Sequence, residues 1–310
     1  MSASGDPMRQ SHERNASRDA HSPIVINWHV TENCNYQCGY CYAKWPGLDR
    51  KDVIRDPTAT TALLQSLHAH FASAGSGSRP RLNFAGGEPL LHGRRLISAM
   101  RFARSIGFDV SIITNGSLLN ERLVADLAPE LSLLGLSIDA LAPTTLAAIG
   151  RQDRRARQID LDALARHVAQ ARRINPALML KINTVVCSAN WQEDLSGAIS
   201  GLAPTRWKVL RMLPVVNRDL GVSDLQFRAF VDRHAALEHV ISIEDNDDMV
   251  GSYIMVDPSG RFFQNRAGAS GYDYSPPILD VGAGDAFARI GWSALKFAGR
   301  YARTSSVVPA

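Results

Sequence analysis

The sequence predicts an α/β protein whose core is a partial (β/α)6 TIM-like barrel, followed by a C-terminal extension. Three observations predict it. Runs with the composition of strands alternate with runs of helical periodicity six times between residues 23 and 214. Each strand-like run leads into small or polar residues. Beyond residue 214 the rhythm is lost. Strands alternating with helices imply a parallel sheet, and six units suit an incomplete barrel better than a closed eight-fold one.

Residues 24–30, IVINWHV, read as the first strand and feed directly into a loop, CNYQCGYC. After Pro57, residues Leu63, Leu64, Leu67 and Phe71 recur at helical spacing, and Gly75 and Gly77 mark the helix exit. RLNFAGGEP is a short strand ending in two glycines. A helix over 94–106 closed by Gly107 precedes the strand FDVSIITNG, and a helix from Asn120 precedes LSLLGLSID. Helices between Pro143 and Ile174, the strand LMLKINTVV, a helix from Asn190 and the strand RWKVLRMLP complete the six units. From residue 215 the pattern gives a helix at 223–236, a hairpin around GSYIMVDPSGRFFQN and a Gly/Pro-rich run, read as an extension and not a further repeat. The chain thus divides into a disordered polar tail (1–22), a barrel core (23–214) and a C-terminal extension (215–310).

Composition narrows the function. With 45% hydrophobic residues over 310 positions, the chain can bury a substantial core. Its first 22 residues lack the apolar stretch of a secretory signal, and no later run of about 18 apolar residues could span a membrane. A cytoplasmic protein that stays off membranes is expected. Four cysteines, three of them at 34, 38 and 41, do not make a disulfide framework, and a reducing compartment favours thiolate–metal chemistry. The net charge of +4 includes no Lys/Arg block long enough for a duplex-binding face, which leaves a small anionic substrate as a plausible partner.

In parallel barrels chemistry gathers at the C-terminal ends of the strands. The candidates read as lying there are Cys34, Cys38 and Cys41; Gly86, Gly87 and Glu88; Asn115 and Ser117; Ser137 and Asp139; Lys181 and Asn183; and Arg206 and Lys208. A closed zinc site or a fully ligated 4Fe-4S cluster needs four protein ligands, and this loop supplies three. Either one iron is left open, or a histidine such as His29 or His21 completes a zinc site in a non-catalytic binding module. Cys187, in a hydrophobic strand, reads as a buried core thiol.

The CxxxCxxC spacing, with the aromatic Tyr40 before the third cysteine, resembles the radical S-adenosylmethionine superfamily, and GGEP (86–89) resembles that superfamily's second motif. The resemblance narrows further. CNYQCGYCYAKW, LNFAGGEPLL, TNGSLLN, LGLSIDA, AIGR, KINTVV, PTRWKVLRMLP and ILDVG follow one another as in the viperin family, over residues 24–285. It implies a barrel of the radical S-adenosylmethionine type, with a 4Fe-4S cluster on Cys34, Cys38 and Cys41. The open iron takes the methionine moiety of S-adenosylmethionine.

The implied activity is dehydration of CTP, UTP or GTP to the 3′-deoxy-3′,4′-didehydro nucleotide, a chain terminator against viral polymerases. A reduced cluster cleaves S-adenosylmethionine, the resulting 5′-deoxyadenosyl radical takes the ribose C4′ hydrogen, the 3′-hydroxyl leaves as water with a proton supplied, and a further electron leaves the 3′,4′-alkene. The implied roles follow the motifs. Tyr40, Gly86, Gly87, Glu88, Asn115, Ser117, Ser137 and Asp139 surround S-adenosylmethionine. Asn27, His29, Arg81, Asn83, Arg151, Lys181, Asn183, Arg206 and Lys208 hold the nucleotide, with Arg81 standing where the family usually has lysine. Tyr253 donates the proton to the leaving hydroxyl. The extension closes the nucleotide site, a flavodoxin- or ferredoxin-type donor supplies electrons, and the chain acts as a monomer. Ala85 departs from a serine common before the paired glycines, and the last 25 residues match poorly. The alternative within the superfamily is a peptide or cofactor precursor as substrate; peptide-modifying relatives often carry extra C-terminal cysteines, and none follows Cys187 here.

Overall fold

The computed structural model describes residues 23–45, 52–73, 78–266 and 270–305. Six parallel strands follow the expected order: β1 (Val25–His29), β2 (Arg81–Ala85), β3 (Asp109–Thr114), β4 (Leu133–Ser137), β5 (Met179–Val186) and β6 (Arg206–Arg211). Between them run α1 (Pro57–Ser73), α2 (Arg94–Ser105), α3 (Glu121–Leu127), α4 (Pro143–Ile149), α5 (Leu161–Ile174) and α6 (Ser196–Leu202). The two-residue period of each strand sorts its side chains. Ile26 and Trp28, Leu82 and Phe84, Val110 and Ile112, Leu180 and Ile182, and Trp207 and Val209 are buried in the hydrophobic core. The alternate positions, Asn27, Asn83, Ser111, Lys181, Asn183 and Lys208, occupy the other face. A sheet so patterned wraps a polar lumen.

Helix starts are encoded locally. Asn120 accepts from the Leu123 amide at 3.0 Å, and Asp160 from the Ala163 amide at 3.0 Å, each capping its helix. The helix expected from Asn190 begins instead at Ser196. Asn190 is buried, accepts from the Cys187 amide at 2.7 Å and donates to the Asp139 and Val185 carbonyls at 2.7 and 2.8 Å. Its amide competes with helix formation by joining two strand ends.

The region after 214 is interwoven with the core. Helix α7 (Asp224–Arg233), started by a Ser223–Gln226 capping box, leads to β7 (Ile241–Glu244), which pairs in parallel with β6. This is one further strand–helix–strand unit, where the sequence reading ended the repeat. After α8 (Asn246–Met249), β8 (Ile254–Val256) pairs in parallel with β1, then β9 (Arg261–Asn265) and β10 (Tyr272–Pro277) turn back antiparallel, with the expected hairpin between β8 and β9. Helices α9 (Ile278–Val281), α10 (Ala283–Phe287) and α11 (Ala294–Ser305) complete the described chain. The sheet order is β10-β9-β8-β1-β2-β3-β4-β5-β6-β7, open between its two edges. The tail 1–22, Gly75 and Gly77 lie outside the described residues. Among the described residues no helix is long and apolar enough to cross a membrane.

Candidate active site

The cysteine loop leaves the end of β1 and is held from two sides. Gln37 and Gly39 donate their amides to the carbonyls of Gly150 and Ile149 at 3.1 and 2.8 Å. Gly150 ends α4 with φ +84°, and a Cβ there would stand 2.3 Å from the Gln37 carbonyl oxygen. From the other side, Gly87 and Glu88 donate their amides to Thr31 and Asn33 at 2.7 and 2.8 Å, and a Cβ on Gly87 would fall 2.1 Å from the Asn33 oxygen. The paired glycines therefore let the end of β2 lie against the cysteine loop. Gly87→Ala is expected to push this loop out of place, costing about 1–3 kcal/mol by overpacking, and to lower iron retained after anaerobic reconstitution, measured as iron per chain.

All three thiols line one cavity of about 240 Å³. Burial pushes each of them up, Cys38 to about 12, and their mutual proximity adds to the effect in Cys34 and Cys38. Left alone they stay thiols; cationic iron would hold them as thiolates. Among the described residues no three or more His, Cys, Asp or Glu side chains are grouped around a single ion position. His29, the offered fourth zinc ligand, is buried and edge-on to Tyr42, Trp45 and Phe263 at centroid distances of 5.7, 5.2 and 5.4 Å. His21 lies outside the described residues. Each thiolate of an iron–sulfur cube binds a different iron, so three cysteines along one wall fit such a cluster and leave its fourth iron for a small-molecule chelate.

Around the cysteines the polar residues form two sets. Asn115 Nδ2 reaches Cys34 Sγ at 3.8 Å and Asn35 Oδ1 at 2.9 Å, and Ser117 Oγ donates to Asn115 Oδ1 at 2.6 Å. Asn115 is on the cavity wall; Ser117 sits behind it and supports the loop. Glu88 is also behind the wall, fully buried. Its Oε1 accepts from Leu90 N and Thr114 Oγ1 at 3.0 and 2.7 Å, and its Oε2 from Asn115 N at 2.8 Å. These bonds tie the ends of β2 and β3 together behind the cavity wall.

The second set departs from the sequence reading. Arg151, expected among the phosphate ligands, is buried and paired with Asp139 at 2.6 Å; it donates to Ser137 O at 2.7 Å and Tyr40 Oη at 3.3 Å. Asp139 also accepts from Tyr40 Oη at 2.5 Å and from the Val185 amide at 2.6 Å. Burial opposes the guanidinium charge, yet Asp139 more than compensates and raises the Arg151 pKa well above its ordinary value. Arg151 therefore stands beside the cysteines and Asp139, on the wall of the cavity that Lys181 and Lys208 also line. Neither Ser137 nor Asp139 caps a helix, since α4 starts from Ala142.

Down the lumen, β-sheet register places Asn27, Asn83 and Ser111 side by side. Asn27 Nδ2 donates to Ile254 O at 3.2 Å, Asn83 Nδ2 to Asn27 Oδ1 at 2.9 Å, and Ser111 Oγ to Asn83 Oδ1 at 2.9 Å, a chain of amides across four strands. Asn183 faces the same cavity with an unpartnered Oδ1 among the described residues. Lys181 and Lys208 lie mid-strand on the wall, deeper than the strand ends where they were expected. Arg81 and Arg206 are the first residues of β2 and β6, at the opposite end of the sheet from the cysteines. They line a second, smaller cavity that shares Asn27, Asn83, Lys181, Lys208 and Tyr253 with the first. The two cavities meet on those five side chains.

Sequence reasoning missed two residues here. Glu244, at the end of β7, is buried and pairs with Lys208 Nζ at 2.5 Å and Arg300 Nε at 3.0 Å; its Oε2 accepts from the Tyr253 hydroxyl. Arg300, on α11, stacks over the Tyr253 ring at 3.5 Å. Burial works against the Glu244 carboxylate, but Lys208 and Arg300 hold it down at about 2. Neither residue carried a motif.

This arrangement, three thiols at one end of a polar lumen and cations at the other, can be set beside known proteins. Residues 28–181 match the radical SAM superfamily. The S-adenosylmethionine-dependent nucleotide dehydratase of Pseudoalteromonas ulvae is 41% identical over 90% of this chain and 92% of its own length. The namesake protein of Psychrobacter lutiphocae is 39% identical, covering 94% and 99%, and the nucleotide dehydratase RSAD2 of Siniperca chuatsi is 30% identical, covering 95% and 83%. This chain belongs to the radical SAM nucleotide dehydratase family. Solved structures agree on the fold: anSMEcpe with bound AdoMet and peptide superposes with a TM-score of 0.64 at 16% identity, over 89% of this chain and 84% of that one. The cofactors of radical SAM nucleotide dehydratases are a 4Fe-4S cluster and S-adenosylmethionine, the pair the sequence implied.

Proposed function

We propose that this nucleotide dehydratase acts on a ribonucleoside triphosphate, CTP, UTP or GTP, and yields the 3′-deoxy-3′,4′-didehydro analogue, a chain terminator in antiviral defence. The observation that carries this reading is the continuity of the cysteine-lined cavity with a lumen bearing Lys181, Lys208, Arg206 and Arg81. A triphosphate brings about four negative charges, which forked arginines and point-charge lysines offset. We further propose a cytoplasmic monomer, its site complete within one chain, reduced by a flavodoxin- or ferredoxin-type donor, with residues 23–214 as catalytic core and 215–310 closing the nucleotide site.

Cys34, Cys38 and Cys41 would hold the cluster, and Gly86, Gly87, Asn115, Ser137 and Tyr40 line the adjoining wall for S-adenosylmethionine. Together these cofactors supply a carbon radical that removes a ribose hydrogen. The chain's own residues do the rest. Asn27, Asn83 and Asn183 offer amides to the sugar hydroxyls. His29, held neutral with its pKa lowered to about 3 by burial, lines the cavity and is backed by the buried rings of Trp45 and Phe263. Tyr253 Oη accepts from Lys208 Nζ at 2.5 Å, so a phenol proton given to the departing 3′-oxygen is replaced from the ammonium.

The test is an assay of anaerobically reconstituted enzyme against the four ribonucleoside triphosphates. One of CTP, UTP or GTP should accelerate 5′-deoxyadenosine formation and lose one water by mass; no acceleration by any of the three refutes the reading. A pH signature accompanies it. Burial, aided by Arg206, lowers the Lys181 pKa to about 7. A bound polyanion favours the ammonium, so binding should take up a proton and tighten as pH falls through 7. Calorimetry in two buffers of different ionisation enthalpy measures that uptake, and Lys181→Met should reduce it to what the nucleotide's own phosphate contributes.

A further inference from the structure

Lys208, Tyr253 and Arg300 come from β6, from the residue before β8 and from α11, and one carboxylate joins all three. Glu244 Oε1 is 2.5 Å from Lys208 Nζ and 3.0 Å from Arg300 Nε, while Oε2 takes the Tyr253 hydroxyl. Arg300 also donates to Ser252 O at 2.9 Å. Lys208 and Glu244 side chains are only 6% and 3% exposed, so water does little to screen them. Among the described residues the charges facing Lys208 from the surrounding elements are Glu244, Arg300, Lys181 and Arg206, beside the Tyr253 hydroxyl. Glu244 is the one anion in that set. Without it, buried cations from β5, β6 and α11 would confront one another.

We propose that Glu244 is a positioning residue for the dehydration: it keeps the Lys208 ammonium and the Tyr253 phenol in place where the two cavities meet, and fastens α11 there through Arg300. This rests on the nucleotide-dehydratase reading. In the proton step the Tyr253 hydroxyl turns from Glu244 Oε2, its O–H bond breaks and its proton goes to the leaving hydroxyl. The C3′–O electron pair departs with the water oxygen, one electron from the flavodoxin- or ferredoxin-type donor reduces the radical cation left on C3′ and C4′ so that the 3′,4′ double bond closes, and a Lys208 N–H proton moves to the phenolate, leaving an amine. Glu244 stays ionised throughout. Burial depresses the Lys208 pKa and Glu244 opposes that depression, so removing the carboxylate makes the ammonium easier to deprotonate.

The experiment compares holoenzyme with Glu244→Gln and Glu244→Asp. It reads nucleotide-dependent 5′-deoxyadenosine formation against pH, using whichever of CTP, UTP and GTP the wild type prefers, and in parallel the binding of inorganic tripolyphosphate by calorimetry. For the amide, kcat should fall at least about ten-fold, and the alkaline limbs of turnover and tripolyphosphate binding should both move at least about one unit lower. The aspartate keeps the charge, so its limbs should stay near those of the wild type while its rate falls. If the amide variant does not fold, the aspartate variant decides: a displaced limb there overturns the proposal. An equal loss at every pH with unmoved limbs marks a merely structural role and overturns it too, as does wild-type behaviour. A wild type that no triphosphate stimulates overturns the dehydratase reading and this role together, whereas an active wild type beside unmoved limbs in the amide variant overturns this role alone.

Discussion

Cys38→Ala is expected to abolish 5′-deoxyadenosine formation and the visible absorbance of the reconstituted protein together, while the fold survives. Cys38 packs partly buried beside Ala140, Ile149 and Leu220, so truncating its sulfur costs about 1 kcal/mol or less of folding energy, a shift of about 2–4 °C in Tm for a domain of this size. The loss of activity has a different origin. Two cysteines cannot hold a cluster that needs three, and the Gly150 and Gly87 contacts that shape the loop do not supply a substitute ligand. Iron content, absorbance and thermal unfolding on the same preparation check all three statements. A variant that retains wild-type iron and turnover would remove Cys38 from the ligand set.

Lys208→Met is expected to eliminate stimulation by the preferred triphosphate and to destabilise the protein as well. Methionine keeps the stem and removes the charge. Glu244 is left buried with Arg300 and Tyr253 as its partners, and breaking a buried pair costs about 3 kcal/mol. The two effects separate by assay. Tripolyphosphate binding reports the lost cation in the folded population, and chemical denaturation reports the lost pair. Wild-type affinity for tripolyphosphate in Lys208→Met would move the phosphate site elsewhere.

The parallel strands, the cysteine loop and the paired glycines were legible because each rests on local chemistry: two-residue alternation, thiol spacing, and backbone that no side chain can occupy. Other features needed coordinates. Lys181 and Lys208 show in the sequence as charges within the apolar runs LMLKINTVV and RWKVL, whereas Arg206 opens β6 and does not close it, because a strand's boundary is not visible in its composition. The pairing of Arg151 with Asp139 is not legible in the sequence because it depends on how α4 turns back onto the cysteine loop. Glu244 and Arg300 were invisible for a further reason. They are 56 residues apart, neither sits in a recognisable motif, and only the placement of β7 and α11 brings them together.

The position of β8 has a consequence for the life of the chain. β8 is the last of the strands flanking β1 to be synthesised, since β2 follows β1 within 60 residues while β8 arrives more than 220 residues later. On the ribosome, β1 is therefore an open edge, carrying Ile26 and Trp28 and followed at once by the cysteine loop. Sheet completion is a late, long-range event, slow by the rules of contact order. Conditions that stall synthesis before β8 are expected to yield chains that retain less iron and aggregate, measured as iron per chain and by sedimentation.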